Sequence, residues 1–569
     1  MSETLDPVTL EILLSGLKSI ADETFIVLMK SAYSTNIKER NDHSTALIDP
    51  KGRMIVLSER SQPIHLSSML GLTNAMLAKY ALSDFKEGDI FAANDPYAAG
   101  GSHLPDINLS MPVFVDGELV CFMCNIAHHA DIGGLTPGSM SGGTEIYQEG
   151  LRIPPVRLFS EGRLNTDILD IFLLNARVPE ERKGDHFAQI AACHLGTRRV
   201  HELAARYGRD TLTTAFDELI GRAFTRMAGA AKKIPAGVYS FTDYMDDDGC
   251  GAVDIPISVT ITVGDDPDGR VKVDFTGSSP AVKGNINCPY RATQSSVVYA
   301  FRALLDPDVP SNQGMLDMID LVAPEGTIVN PVFPSAVAGR ANTCQRIIDV
   351  VLGALAPALP DAVVAAANGA NTMAVFSGSD PETGKPYVYL ETVGGGFGGR
   401  ATKDGKDGVQ VHLINTSNLP VEAIESEYPL MIESYTFVPD SGGAGTNRGG
   451  LGLRRVVKPR GGPAIFTGQG ERFRHAPWGL FGGLEGGKGR FRFRGSDGIE
   501  RDLPTKPGIV TVGPDEALIV ETAGAGGYGP PAGRDAARIA DDLASDKYSR
   551  AYLEDAYGAD RVTSKESET

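Results

Sequence analysis

The sequence predicts a mixed α/β (α+β) protein of several subdomains. Antiparallel, hairpin-rich sheets alternate with helical blocks, and no Rossmann or P-loop domain is expected. Three observations carry this. Strand-like runs meet at Asp-Gly and Asp-Pro turns instead of feeding crossover helices. Other stretches repeat apolar residues at spacings of three and four, the period of an amphipathic helix. A chain of 569 residues with 66 glycines is too long for one core and rich in special turns. The expected organisation is an N-terminal metal-binding region with a helical segment over 1–235, a mixed β/α region over 236–380, a Gly-rich β region over 381–533, and a C-terminal helix and tail over 534–569.

Along the chain, Asp6-Pro7 is a helix-start signal, and Leu10, Leu13, Leu14, Leu17, Ile20 and Ala21 form the apolar stripe of a helix over 7–34. NDHSTALIDPKGRMIVLS reads as a hairpin around Asp49–Gly52. Residues 67–82 read as helix. From 88 to 131 strands alternate with loops, and FVDGELVCF is a second hairpin turning at Asp116-Gly117. Residues 165–232 are predicted helical, with His194 and His201 seven apart on one face. Residues 238–278 give three antiparallel strands with DDG and DDPDG turns; the Asp246–Asp248 run lacks calcium-loop spacing and reads as a solvated turn. Helices are predicted over 291–306 and 344–358, short strands over 385–460, one polar helix over 534–558 and a frayed tail over 559–569.

A net charge of −19 disfavours nucleic acid and anionic membranes as partners, since both need a basic face. No window holds about 18 uninterrupted apolar residues, so no membrane span is expected. MSETLDPVTLEILL lacks a basic leader before an apolar core, so no signal peptide is expected, and the expected location is cytoplasmic. Six scattered cysteines are too few for a disulfide framework. Cys121 and Cys124 face opposite sides of a strand and read as buried thiols.

Two glycine-rich segments imitate nucleotide motifs. Gly394–Gly399 matches G-x-G-x-x-G, but the polar loop RATKDGKDG follows where a helix is required. Gly482–Lys488 has Walker A spacing, but Gly489 stands where a Ser or Thr should bind Mg²⁺. Both read as loops packed on other backbone, so no nucleotide site is expected. No G-x-S-x-G elbow or H-E-x-x-H helix occurs.

The chemistry concentrates between Asn94 and Asp131, in NDPYAAGGSHLPDINLSMPVFVDGELVCFMCNIAHHAD. Three of the ten histidines, His103, His128 and His129, lie there with Asp95, Asp106 and Asp131. Mixed imidazole and carboxylate groups are a ligand set for Zn²⁺, Mn²⁺ or Fe²⁺. His103 and Asp106 can point to one side of a tight turn. His128 and His129 face opposite ways, so one can ligate and the other cannot easily join it. Asp42, at the mouth of the first hairpin, is a further candidate. A divalent-metal site and a hydrogen-bonded His/Asp network both account for this cluster.

Many ordered segments resemble the hydantoinase B/oxoprolinase family. They include NIKERNDHSTALID, PIHLSSM, GDIFAANDPYAAGGSHLPDI, HHADIGG, EIYQEGLRIPPV, GNINCPYRATQSSVVYAFR, TCQRIIDVVLGALA and PDSGGAGTNRGGLG, spread over nearly the whole chain. The resemblance implies one subunit of a two-component, ATP-dependent enzyme. The partner, a hydantoinase A-like ATPase, supplies the ATP/Mg²⁺ site, and the substrate is a small cyclic amide: a hydantoin, 5-oxoproline or a lactam. It further implies metal ligation by Asp42, His103, Asp106 and His128, with Zn²⁺ or Mn²⁺ favoured by the carboxylates, and a dimer of heterodimers. His129, Asp131 and His65 are candidates to orient ligands or relay a proton.

The implied chemistry is coherent. A lactam amide resists water at neutral pH. ATP can activate its carbonyl by phosphorylation, and a divalent ion lowers the pKa of an attacking water. The alternative is the matching subunit of an ATP-dependent ketone carboxylase, of acetone or acetophenone type. A non-catalytic scaffold that binds no metal is a third reading.

Overall fold

The computed structural model describes residues 5–264 and 266–562. Its architecture is mixed, with four sheets and interleaved helical blocks.

The first helix, α1 (Pro7–Ser31), begins where Asp6 accepts the Val8 and Thr9 N–H groups, with Pro7 in its first turn. These contacts satisfy backbone donors that no helical carbonyl can reach. The stripe Leu10, Leu13, Leu14, Leu17, Ile20 and Ala21 is buried as its spacing requires, and Phe25 and Leu28 continue it. A short α2 (Thr35–Lys38) follows. Then come β1 (His43–Ile48), β2 (Met54–Leu57), α3 (Leu66–Lys79), β3 (Ile90–Ala93), β4 (Asp106–Val115), β5 (Glu118–His128), β6 (Val156–Ser160) and β7 (Arg163–Leu164). They form a seven-stranded antiparallel sheet ordered β2-β1-β5-β4-β3-β6-β7. The β4–β5 turn has Asp116 at φ +53° and Gly117 at φ +79°, the left-handed pair that matches strand twist in a tight hairpin.

Both faces of β4 and β5 are covered over most of their length. Cys124 packs into the large cluster that includes α3, and Cys121 into the one formed with α1. The two thiols thus point to opposite faces as strand alternation requires. All six cysteines are free, and only Cys250 is exposed.

A helical block of α4 (Thr166–Leu174), α5 (Pro179–Tyr207) and α6 (Arg209–Ala231) lies where the sequence predicts it. Within α5, His201 Nε2 donates to Phe114 O at the edge of the sheet, 2.8 Å away, while His194 is exposed. The second sheet contains β8 (Gly237–Asp247), β9 (Val253–Val263) and β10 (Val271–Asp274). After α7 (Tyr290–Leu305) and α8 (Gln313–Asp317), β11 (Ile319–Val322) adds a fourth strand parallel to β10. The wholly buried α9 (Arg340–Leu355) packs on β8 and β9. It begins four residues before the predicted start, because Arg340 and Cys344, polar or small in sequence, are core positions here. One hydrophobic cluster runs from Ala46 to Ile414 and unites the first two sheets.

The remainder comprises β12 (Thr372–Ser379), β13 (Pro386–Val393), α10 (Val421–Glu427), β14 (Leu430–Phe437), β15 (Leu453–Pro459), β16 (Ala464–Gln469), β17 (Arg490–Arg494), β18 (Glu500–Leu503), β19 (Val510–Val512) and β20 (Ala517–Glu521). These form sheets ordered β13-β12-β16-β19 and β14-β15-β20-β17-β18. Both glycine-rich segments are packed on backbone. A Cβ on Gly396 would strike the Gly450 carbonyl, and one on Gly483 the Gly527 carbonyl.

The predicted helix over 534–558 is two helices, α11 (Ala536–Ala544) and α12 (Arg550–Tyr557). Asp546 at φ +53° breaks the run, since a left-handed residue cannot continue a right-handed helix. Of the expected tail, Ala559–Arg561 is a helical turn and residues 563–569 lie outside the described residues. No helix among the described residues is long and apolar enough to cross a membrane.

Candidate metal centre

Strand register assembles the candidate site. Asp106, the first residue of β4, lies opposite His128, the last of β5. The hairpin turn pairs Val115 with Glu118 and Phe114 with Leu119, then skips Val120 to pair Val113 with Cys121. This one-residue bulge slips every later pair by one. Without it Asp106 would face Ala127. On the other side of β5, the His128 N–H donates to Asp42 O at 3.0 Å. Asp42 therefore arrives beside His128 from the start of β1.

His103 joins from the loop before β4. Its Nε2 is 3.1 Å from Asp106 Oδ1. Ligand atoms of His103, Asp106 and His128 all lie within 4.8 Å of one another, and all three residues are buried. Asp42 is not in that mutual set. It is half-buried and lines a cavity of about 30 Å³ with His65 and His128. Burial pushes its carboxyl pKa up, against the pull of His65 and Arg40.

Proton bookkeeping at His103 tests the fit to a cation. His103 Nδ1 is 3.1 Å from the Ala338 carbonyl, which can only accept, so the proton of the neutral ring resides on Nδ1. Burial, reinforced by Arg340, lowers the pKa of this ring to about 4. Nε2 is therefore a bare lone pair, and it faces a carboxylate oxygen. Neither His103 Nε2 nor Asp106 Oδ1 has a hydrogen-bond partner, and both are buried. Two opposed acceptors are repulsive unless a positive charge lies between or beside them. The donor set suits a divalent cation bound by nitrogen and oxygen.

The other carboxylate oxygen is fixed from outside. Asp106 Oδ2 accepts from Arg340 Nη2 at 2.8 Å and from Ser102 Oγ. Burial alone would raise the Asp106 pKa; the positive charge of His103 when its ring is protonated, and that of Arg340 throughout, outweigh it and hold the carboxyl well below its usual range. The carboxylate thus stays charged with Oδ1 turned to the cluster. Glu149 acts one step behind. Its Oε1 accepts from the Val337 and Ala338 N–H groups, both at 2.8 Å, which pins the segment whose carbonyl sets the His103 tautomer.

His128 differs. Asn36 Nδ2 donates to His128 O at 2.8 Å and lies 3.1 Å from Nδ1. Arg40 donates to Asn36 Oδ1 at 2.6 Å, which fixes the amide's orientation. The Asn36 amide thus anchors the backbone and ring of His128 at the end of β5.

Of the other sequence candidates, His65 is at the site. Its Nε2 is 3.7 Å from Asp106 Oδ1, and its Nδ1 is 2.9 Å from Ser44 Oγ. Burial lowers its pKa against the pull of Asp106 and Asp42. His129 points to the opposite side, as adjacent strand positions must. Its Nε2 is 3.0 Å from Gln189 Oε1, and its ring lies 4.5 Å from that of His186. Asp131 accepts from the Gly133, Gly138 and Arg177 N–H groups and from the Arg177 guanidinium. Asp95 caps its own turn at Tyr97 and Ala98 and pairs with Arg152. The structure thus brings together Asp42, His65, His103, Asp106 and His128, and places His129, Asp131 and Asp95 in the surrounding framework. Arg340, Ser102, Asn36 and Glu149 carry no sequence signal of this role. Arg340 is 234 residues from Asp106, and nothing in a sequence marks an arginine for burial.

A family model described as hydantoinase B/oxoprolinase matches residues 6–531. A putative D-/L-hydantoinase subunit from Pseudomonas sp. (strain NS671) is 34% identical over 556 residues, covering 95% of this chain and 92% of that protein. The crystal structure of the ATP-dependent caprolactamase from Pseudomonas jessenii superposes with a TM-score of 0.90 at 29% identity, covering 98% of this chain and 96% of that one. An acetone carboxylase structure also reaches a TM-score of 0.90, at 20% identity over 97% of this chain and 79% of that chain. That last likeness is one of fold alone.

Proposed function

Because the chain belongs to the hydantoinase B/oxoprolinase family, we propose that it is the metal-bearing subunit of a two-component, ATP-dependent hydrolase of cyclic amides. The observation that carries the reading is the pair of opposed, unprotonated acceptors, His103 Nε2 and Asp106 Oδ1. The chain's relatives include a putative hydantoinase subunit, and its fold matches that of a caprolactamase. His103, Asp106 and His128, with Asp42 beside them, would hold Zn²⁺ or Mn²⁺. When bound, such an ion supplies Lewis acidity and lowers the pKa of water.

The chain's own groups prepare that chemistry. Ala338 O holds His103 in the tautomer that leaves Nε2 bare. Arg340 and Ser102 hold Asp106 with one oxygen free. His65, beside Asp106 and Asp42, is placed to accept or return a proton during ring opening. His129 and Asp131 are proposed to keep the segment after β5 in position. Activation of the amide carbonyl falls to a hydantoinase A-like ATPase with ATP and Mg²⁺, because both nucleotide-like glycine motifs here are packed shut. A reactive phosphorylated intermediate is best passed within a closed assembly. A dimer of heterodimers with an interface on the order of 2,000 Å² or more fits that need. The proposed location is cytoplasmic.

The test is co-expression with an A-like partner and assay of ATP hydrolysis against hydantoin, 5-oxoproline and lactams, with and without bicarbonate. ATP-dependent ring opening that needs both chains is the expected result. Turnover of ketones only with bicarbonate would replace this reading with a carboxylase.

A further inference from the structure

Arg40, between α2 and β1, is fully buried. Its guanidinium donates to Asn36 Oδ1 at 2.6 Å, to Leu390 O at 3.2 Å, to Thr392 Oγ1 at 2.6 Å and to Thr416 Oγ1 at 3.4 Å. All four acceptors are neutral. Five other arginines are as deeply buried, and each reaches a carboxylate: Arg182 that of Asp185, Arg346 that of Asp243, Arg455 that of Glu391, Arg472 that of Asp349 and Arg534 that of Asp542. Among the described residues Arg40 has no such partner. Asp42 is close enough to feel its charge but accepts no hydrogen bond from it. A guanidinium keeps its proton when buried, and a buried charge without a paired counter-charge is costly.

Two threonines carry that charge to the candidate centre. Thr392, near the end of β13, and Thr416, in the loop that follows, line the cavity of about 30 Å³ that Asp42, His65 and His128 also line. Arg40 O accepts the Ser417 N–H at 3.0 Å, which holds this loop in place. Each threonine oxygen takes a proton from Arg40, and Thr392 Oγ1 takes a longer contact from Gln410 Nε2 at 3.5 Å. A hydroxyl that accepts still has its own proton to give. The two oxygens are 3.3 Å apart, so at most one of their two protons is used between them. Among the described residues no carbonyl or carboxylate takes the other. At least one hydroxyl, polarised by a fixed cation, is left for whatever occupies the cavity.

The charge balance points to the occupant. Asp42 and Asp106 offset Arg40 and Arg340 one for one, and a divalent ion at the centre adds two positive charges. Within low-dielectric walls such a surplus favours an anion. The space admits about two waters, so the anion has few heavy atoms, one of them an oxygen that can accept from the hydroxyl. We propose that Thr392 and Thr416, backed by Arg40, seat an oxygen of a small oxyanion of the carboxylate class. Hydrolysis of an amide releases a carboxylate, so under the function proposed above the occupant is the head group of the opened ring. That role rests on the cyclic-amide reading; the seat itself does not.

The probe is formate, three heavy atoms with one negative charge, and formamide is its neutral counterpart of the same size. Carbon-13 NMR of labelled formate measures binding to the full chain, once in chelator and once reloaded with Zn²⁺. The expected result is saturable formate binding to the reloaded chain, weaker in chelator, with formamide bound at least about tenfold more weakly than formate. Thr392→Val combined with Thr416→Val should weaken formate about tenfold at unchanged zinc content. Thr392→Ser combined with Thr416→Ser returns the hydroxyls and should bind as the wild type does. Thr416→Val alone breaks only the longer Arg40 contact; it serves if the valine pair does not fold, and should weaken formate about threefold. No saturable formate binding by the wild-type chain in either state, undiminished affinity in the valine variants, or formamide bound as tightly as formate overturns the proposal. In the two-component complex, ring opening whose inhibition by formate is unaltered by the valine pair would overturn the seat and leave the cyclic-amide reading standing. A complex that opens no cyclic amide, while the chain binds formate through the threonines, would overturn that reading and keep the seat.

Discussion

Asp106 and His128 are cross-strand partners at the open end of the β4–β5 hairpin. They face each other because Val120 is left out of the ladder. Register is a discrete choice: one residue of slip turns every side chain to the other face. The bulge therefore decides which histidine of the adjacent pair joins Asp106, and it leaves His129 against Gln189.

Metal content follows from that geometry. Purified protein should carry about one divalent ion per chain, as expected of a single closed ligand set. His103→Ala and Asp106→Ala should each lose most of it, and Asp42→Ala should weaken it. His129→Ala should retain it. Elemental analysis of the four variants decides the point, and undiminished metal in both His103→Ala and Asp106→Ala would refute the assignment.

Arg340 stands behind Asp106 as an orienting cation. Arg340→Met should cut metal affinity by roughly 10- to 100-fold, the usual effect of removing an outer-shell partner. It should also destabilise the protein by about 3–5 kcal/mol, because a buried carboxylate loses its counter-charge. A bound cation replaces part of that charge, so the loss should be larger in chelator than in metal. Equal losses in both conditions would show that Arg340 acts on packing alone.

Acid stability should depend on histidines buried in neutral form. Burial lowers His43 and His129 each to about 3. The unfolded chain takes up these protons near pH 6.5, while the folded chain resists. Their contribution is full above pH 6.5 and is lost as pH falls toward 3, on the order of several kcal/mol in total. Glu149 works in the other direction. Burial raises it to about 8, so its contribution is full below about pH 4.5 and is lost as pH rises through 8. Melting curves of chelated protein should show both limbs, and Glu149→Gln should flatten the alkaline one. An alkaline limb unchanged in that variant would remove Glu149 from the account.

The isolated chain should not hydrolyse ATP. The Gly394–Gly399 loop lies against Gly450, Ala365 and Asn447, and the Gly482–Lys488 segment against Gly527 and Ala525, so neither offers backbone N–H groups to phosphate. Steady ATP turnover by the chain alone, at the rate of its complex, would contradict this.

Much of the fold was legible locally. The α1 stripe, the Asp116-Gly117 hairpin, the 165–232 helical block and the opposed faces of Cys121 and Cys124 follow from period and turn chemistry, which act over a few residues. The types of the site residues were legible for the same reason, since His and Asp cluster within one segment around two strands. The break at Asp546 was not, because no nearby glycine or proline announces it.

What only the tertiary structure decided depends on contacts between distant segments. The sequence determined that His103, Asp106 and one of His128 and His129 could meet. It could not choose between the last two, because a bulge leaves no local signature and its place is set by packing on both faces of the sheet. Nor could it reveal Arg340 on Asp106, Ala338 on His103 or Asp349 on His412, each contributed by a helix or loop far along the chain. Local propensity acts along the chain, whereas tautomer, charge and exclusion of water are settled by whatever the fold presses against each ring.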